Sequence, residues 1–506
     1  MKIKIIICAF LVSAILVIFA SCAGNDSKSG AETTAVTSEN SAQGSENIEQ
    51  NNVEKETMPP YPHEVETFGG EIFNVLVEDE PNNFLEITDF DMDEEPGDVL
   101  NTAIYRRNQI VQEMLDIKFK SVHQGRDRIR GVLSKSIKAG SNDYSAAAMR
   151  LENASPAAMA GECVNLNGLK ALSLDMPWWN QNILKDLSVS NQSYLIAGDI
   201  FTKHYDAIAL LFFNKKLLNE LALENPYMLV ENNQWTLDKF GELTKNVKKD
   251  LDGDGEINYK DMFGFSTQTD FLTSMLNGSG AKFAEKDSND IPYFTGGSEK
   301  MDAILNKVLD IYVNDSFCCL RDAYDKGISF DGMHQFMLFP EGRSLFFWGM
   351  PRFIEIGLRG MEDDFGILPI PKWDSSQERY YATASNGWHS YAWLIPQSSN
   401  DPDKTAYIMD TMAYYGRMHI LPAYYDVVLT RKYTRDDESS AMLDIIFNSA
   451  VYDLGDLYNI GGFRSTLEGM IRSKNTNNMA SELEKAKGKI EKDLTKLITQ
   501  FENNAK

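Results

Sequence analysis

Positive charge is scarce in this chain: 49 Lys and Arg stand against 74 Asp and Glu, a formal net charge of −25 over 506 residues. So acidic a surface disfavours nucleic acid and anionic lipid headgroups as direct partners, because their phosphates would be repelled. Cysteine is sparse as well. Of five in all, Cys8 and Cys22 sit near the N-terminus, which leaves Cys163, Cys318 and Cys319 for a folded body. Adjacent residues such as Cys318 and Cys319 are too close in the chain for ordinary disulfide geometry, and no C-x-x-C zinc pattern occurs, so buried free thiols are expected. The nucleophile elbow G-x-S-x-G, the zinc helix H-E-x-x-H and the phosphate loop G-x-x-x-x-G-K are absent. No internal repeat is found, nor any second long apolar segment after the N-terminus.

What is present begins with the N-terminus. Lys2 and Lys4 precede a mostly apolar run from Ile5 to Ala20, and the small residues Ala20 and Ser21 stand directly before Cys22. A positive end, an apolar stretch and small residues at a cleavage point read as a secretory signal over 1–21. The run is short for a bilayer core, which takes about 20 apolar residues. The cysteine at the cut resembles the lipobox of bacterial lipoproteins, with Phe19 where that pattern has Leu, and the resemblance implies an acylated Cys22 as membrane anchor. Ordinary cleavage that frees the chain is the alternative. Residues 22–66 are rich in Ser, Asn, Glu, Thr and Gly with few large apolar side chains. They bury too little to offset ordering entropy and read as a flexible tether.

The remainder exceeds one ordinary core and predicts two lobes. Glu71 to Val77 is an apolar run of strand length, and Ile104, Ile110, Val111, Met114 and Leu115 fall on one face of a helix over 101–115. The apolar stretch Ala207 to Phe213 predicts a central strand running into a helix from Asn214. Short strands are predicted at Phe365–Leu368 and Tyr391–Ile395. A C-terminal helix opens with a capping box at Ser481 and Glu484 and buries Leu483, Ala486, Ile490, Leu494, Leu497 and Phe501. Strand then helix, repeated, is α/β grammar.

The segment Asp250–Asp261 carries oxygen donors at loop positions 1, 3 and 5 (Asp250, Asp252, Asp254). Gly255 stands at the sharp turn, the Glu256 carbonyl follows, and a carboxylate from Asp261 closes the loop. That is the spacing by which an EF-hand surrounds Ca2+, with Asp261 where Glu is usual. Alternate aspartates repel one another without a cation. The other reading is an acidic surface turn. A single such loop predicts a structural Ca2+ that pins a connection rather than a sensor.

Several segments together resemble the extracellular solute-binding proteins of bacterial ABC importers that carry sugars and oligosaccharides. They are Leu100–Asn108, Met176–Asn180, Asp186–Ser188, Tyr194–Asp199, Tyr205–Leu217, Trp235–Phe240, Phe339–Gly342, Phe346–Gly349, Asp364–Pro369, Pro422–Asp426, Arg435–Ser439 and Met442–Ile446. The resemblance implies an α/β, two-lobed type II periplasmic-binding-protein-like fold with hinge-linked lobes, residues 67–204 plus 391–430 forming one lobe and 205–390 plus 431–506 the other. It also implies a monomer that takes a carbohydrate in the cleft and passes it to ABC permease subunits.

Sugar rings present C–H faces that pack on flat aromatics while polar side chains take the hydroxyls. Trp178, Trp179, Trp348 and Trp388 lie in loops or strand ends and are the candidate stacking residues, with Tyr205 beside them; core packing is the equal alternative for each tryptophan. Trp235 and Trp373 read as structural. Arg150 and Asp199 follow expected strands and are candidates for hydroxyl binding, or for a salt bridge. Two other functions remain open: an extracellular glycoside hydrolase with two carboxylates facing one bond, and a calcium-stabilised surface adhesin or scaffold.

Overall fold

The computed structural model describes residues 58–79, 88–314, 317–320, 337–384, 387, 389–427 and 436–505. The signal, Cys22 and the tether up to residue 57 therefore lie outside the described residues, as does Trp388. Among the described residues no helix is long and apolar enough to cross a membrane.

Two sheets organise the fold. The first uses β1 (Glu71–Asp79), β2 (Ile117–Gly125) and β3 (Ala146–Arg150). The second uses β4 (Leu210–Asn214) and β5 (Phe263–Thr267). A hairpin of β6 (Ala284–Lys286) and β7 (Pro292–Phe294) follows. Next come β8 (Cys318–Leu320), β9 (Ser344–Gly349), β10 (Phe365–Leu368) and β11 (Ala382–Thr383). The chain then returns to the first sheet as β12 (Tyr391–Leu394), and β13 (Ala450–Val451) pairs with β11. Strand order is β12-β3-β1-β2 in the first sheet and β10-β4-β9-β5-β8 in the second. β1 runs parallel to β2 and β3, and β12 returns antiparallel with Tyr391 opposite Arg150. In the second sheet β4 is antiparallel to β9 and β10, while β5 is parallel to β8 and β9.

Alternation along β1 explains how the first sheet is covered on both faces. Phe73, Val75 and Val77 meet Trp178, Trp179 and the helix Pro402–Tyr425 on one side. Leu76, with Ala147 and Met149 of β3, meets α2 (Arg126–Lys138) and α3 (Leu151–Met159) on the other. Ahead of these two helices lies α1 (Val99–Leu115), whose N-terminal amide at Asn101 is capped by Asp98 at 3.0 Å. Its buried stripe departs from the predicted one. Ile110 and Met114 are half-buried, whereas Arg107 and Asn108 are buried. Arg107 goes inside because its guanidinium donates to the carbonyls of Ile200 at 3.2 Å and Met412 at 3.0 Å. Those bonds supply the acceptors without which a buried charge would be costly.

Two further expectations need correction. The tether drawn to residue 66 ends earlier. Residues 58–66 are laid along the 402–425 helix, where Tyr61 Oη lies 2.8 Å from Thr411 Oγ1, His63 Nε2 2.7 Å from Asp410 Oδ2, and the Glu66 amide donates to Tyr407 Oη at 3.1 Å. The C-terminal helix is Met479–Asn504 with Asn478 at its cap, so Ser481 is inside the first turn and no capping box forms. Its predicted apolar face is otherwise the packed one, with Ile490, Leu497 and Phe501 buried. The helix packs on β7 near its start and on the turn at Gly461 at its middle, where the Gly461 amide donates to Asp493 Oδ2 at 2.9 Å, and it ends at α3, where Asn504 Nδ2 donates to the Ala158 carbonyl at 3.0 Å.

Candidate functional site

The carboxyl ends of the parallel strands are where open α/β sheets hold ligands. In the first sheet those ends carry charge. Glu78 is the penultimate residue of β1, Arg126 follows β2 and Arg150 closes β3. Glu78 is fully buried, and burial pushes its carboxyl up. Its Oε2 accepts from the Arg150 amide and from Asn153 Nδ2, each at 3.0 Å, and Arg150 Nη1 lies 3.4 Å from its Oε1. Arg126 Nε lies 2.5 Å from Glu152 Oε1 at the start of α3. Tyr391 completes the edge. The Arg150 guanidinium lies 5.8 Å and the Lys203 ammonium 5.5 Å from the centre of its ring, within cation–π range.

In the second sheet β9 ends at Trp348 and Gly349. Trp348 stacks on Phe271 with ring centres 3.3 Å apart and planes 16° apart. The turn carrying Phe271 is held by Arg472, whose Nη2 donates to Thr269 Oγ1 at 2.9 Å.

Both edges converge on the crossing segment at residues 387–390. The Glu152 amide donates to the Gly387 carbonyl at 3.0 Å and the Leu151 amide to the Ser390 carbonyl at 2.9 Å. From the other side, Arg352 Nη1 lies 3.5 Å from His389 Nδ1. Among the described residues, Trp348 Nε1 at the end of β9 and Ser390 Oγ on the crossing segment are each buried with no hydrogen-bond partner. An unmet buried donor or hydroxyl loses about 1–3 kcal/mol of hydrogen bonding that a ligand hydroxyl would restore.

The sequence-derived site set is therefore only partly assembled here. Arg150 stands on the first edge and Trp348 on the second, where Trp348 is 1% exposed with Phe271 stacked on its ring, so its indole N–H rather than a ring face is what it has to offer. Trp178 and Trp179 do not join them. They are 0% and 2% exposed, and both indole N–H groups donate to Asp410 Oδ1, at 2.9 and 2.7 Å, so neither offers a ring face to a ligand. Asp199 is buried too and anchors the chain crossing. Arg417 Nη1 lies 3.1 Å from its Oδ2, and Tyr205 Oη donates to its Oδ1 at 3.4 Å. Tyr205 packs between Tyr424 and Phe447, with ring centres 5.7 and 5.2 Å away. Sequence reasoning missed Glu78, Arg126, Glu152, Lys203, Ser390 and Tyr391. The signal that finds several of them is a charged residue directly after an apolar strand.

Burial pushes the Asp199 carboxyl up to about 7, against the opposing pull of Arg417. The folded state then holds a proton that the unfolded state has released, so this group favours folding below the ordinary carboxylate range and the benefit is lost as pH rises through about 7. Asp199→Asn removes that titration. Relative to the parent, the variant is expected to gain about 1 kcal/mol per pH unit between about pH 5 and 7, read as the difference between two urea-unfolding series. Parallel pH profiles would contradict it.

In the acidic loop, three of the predicted donors come together while Asp261 is not among the clustered carboxylates. Asp250, Asp252 and Asp254 each bring a carboxylate oxygen within 4.8 Å of the others. Gly253 and Gly255 take φ of 75° and 82°, which glycine permits. Asp261 is fully buried and ties the loop shut, accepting from the Leu251 amide at 2.9 Å and the Asn258 amide at 2.8 Å. Each carboxylate oxygen has two lone pairs, so these bonds leave Asp261 acceptor capacity for a cation.

No protein-family model matches the chain, and no curated protein matches it in sequence. Solved structures do match in fold. An ABC substrate-binding protein from Listeria monocytogenes in complex with cycloalternan is similar with a TM-score of 0.54 at 13% identity, over 84% of this chain and 99% of that one. An extracellular solute-binding protein from Staphylococcus aureus in complex with maltose gives 0.54 at 15% identity, over 84% and 98%. The maltose-binding protein of Listeria monocytogenes, also with maltose, gives 0.54 at 14%, over 84% and 98%. The fold is thus the two-lobed α/β architecture of the periplasmic-binding proteins.

Proposed function

We propose that this chain is a solute-binding protein that captures a carbohydrate, an oligosaccharide by preference, between its two lobes and delivers it unaltered to the permease of an ABC importer. The observation that carries the reading is that both sheet edges reach the crossing segment, through Glu152–Gly387 and Leu151–Ser390 on one side and Arg352–His389 on the other, with Trp348 Nε1 on the second edge and Ser390 Oγ on the segment buried without partners among the described residues. Charged side chains at this junction are held by one another, as in Glu78–Arg150 and Arg126–Glu152, which suits a neutral polyol that both donates and accepts. The sugars held by neighbours of the same fold support the class of ligand. Hinge motion of the lobes would close the cleft. The proposal includes a monomer outside the cytoplasmic membrane, tethered to its outer face through acylated Cys22.

Calorimetry against a panel of α- and β-linked oligosaccharides tests it. Binding heat with the saccharide recovered intact is expected, and a ligand at about 100 times its Kd adds about 2.7 kcal/mol to apparent stability. Released reducing ends would instead favour the hydrolase, and silence over the whole panel the scaffold.

The same proposal assigns a structural Ca2+ to Asp250, Asp252, Asp254, the Glu256 carbonyl and Asp261. Binding confined to the folded state stabilises it. Complete chelation is expected to lower Tm by several degrees and re-addition of Ca2+ to restore it. A Tm indifferent to chelator would remove the metal from the account.

A further inference from the structure

The lobes also meet away from the crossing strands. The β6–β7 hairpin belongs to the second lobe: it leaves the helix Leu272–Gly278, and the Phe283 and Ala284 amides are held by Asp453. The loop at residues 185–193 belongs to the first lobe. Its far end is fixed to the first sheet where Ile196 and Trp393 exchange backbone hydrogen bonds, and Leu166 donates to the Ser193 carbonyl.

The tips of these two elements dock on one another. The Ser190 amide donates to the Asp290 carbonyl at 2.9 Å, and the Asn191 amide to Asp290 Oδ2 at 3.0 Å. Ser188 Oγ donates to Asp290 Oδ1 at 3.0 Å, and Lys286 Nζ donates to Ser188 Oγ at 2.8 Å. Beside them Lys282 Nζ lies 2.8 Å from Asp186 Oδ2, which also accepts from the Tyr452 amide at 2.9 Å.

The backbone is unusual at this contact. Of eight non-glycine residues with positive φ among those described, three are here: Ser190 at 53°, Asn191 at 57° and Asp290 at 63°. Consecutive left-handed residues favour glycine, and such strain persists where surrounding contacts over-determine it. The C-terminal helix adds a second bridge between the lobes, ending at α3.

We propose that the β6–β7 hairpin and the 185–191 loop are an interlobe latch that keeps the two lobes closed on each other before any ligand arrives, with Asp290 as its keeper. Opening of the cleft then requires the latch to release, and residues remote from the ligand govern how readily the ligand enters. This holds whatever the cleft binds.

Hydrogen exchange on the full chain, with no sugar present, tests it. In the parent protein, peptides spanning 186–192 are expected to exchange at least tenfold more slowly than in Asp290→Ala, because the Asn191 amide and the Ser188 hydroxyl lose their carboxylate acceptor and the remaining Ser190 bond to the Asp290 carbonyl no longer holds the two tips together. The same substitution is expected to speed exchange in peptides spanning 149–154, where the Glu152 amide bonds to Gly387 at the cleft. Asp290→Asn keeps one of the two side-chain acceptors that Asp290→Ala removes and is expected to fall between the two, which separates latch release from a folding defect. Free exchange at 186–192 in the parent would overturn the proposal. So would an Asp290→Ala variant in which 149–154 is unchanged, since the contact would then be local only.

Discussion

Replacing Asp410 by alanine is expected to destabilise the chain by about 3–5 kcal/mol, the range for removing one partner of a buried charged network. The carboxylate is fully buried. Its Oδ1 takes both indole N–H groups and the Ser173 amide, and its Oδ2 lies 2.7 Å from His63 Nε2. Alanine leaves two indole donors buried without an acceptor, each worth about 1–3 kcal/mol, and frees the 58–66 segment. Asp410→Asn retains an acceptor and is expected to lose less. Urea unfolding gives the stabilities, and proteolysis after residue 57 gives the state of the strap. A loss under about 1 kcal/mol would contradict the assignment of Trp178 and Trp179 to the core.

Gly416→Ala is the second large effect, and its sign is informative. In an exposed helix interior the change favours folding by up to about 1 kcal/mol. Here a Cβ would stand 1.9 Å from the Asp199 carbonyl oxygen and 2.7 Å from its carbon, so backbone would have to move. A loss of about 3 kcal/mol is expected, at the upper end for overpacking. Gly488→Ala, in the C-terminal helix with nothing within 4 Å of its Cβ, is the control and is expected to stabilise. Equal effects at the two positions would mean that the 402–425 helix does not lie flush on the chain crossing at Asp199.

These two sites show where the sequence is legible and where it is not. β1, β4, β10 and β12 were readable because an unbroken or alternating apolar run of strand length has few other uses. The helices over 99–115 and 479–504 were readable from their apolar stripes, yet their details were not. Arg107 is inside because carbonyls of Ile200 and Met412 wait for it, and the C-terminal helix starts before its apparent capping box. Trp178 and Trp179 looked like ligand platforms because they lie between elements. Their partner, Asp410, is more than 230 positions away in sequence, and no local pattern reports it. The clustering of Asp250, Asp252 and Asp254 was legible because the three lie at alternate positions of one short turn. Of the strand ends that face the crossing segment, only Arg150 and Trp348 were singled out from the sequence, since residues brought together from separate strand ends have no contiguous signature.

The most direct test of the central claim is a crystal structure with the oligosaccharide that gives the strongest calorimetric response. The account predicts an intact saccharide touching the carboxyl ends of both sheets, against residues 387–390, with one hydroxyl accepting from Trp348 Nε1. A saccharide seated on one lobe alone, or cleaved in place, would contradict it.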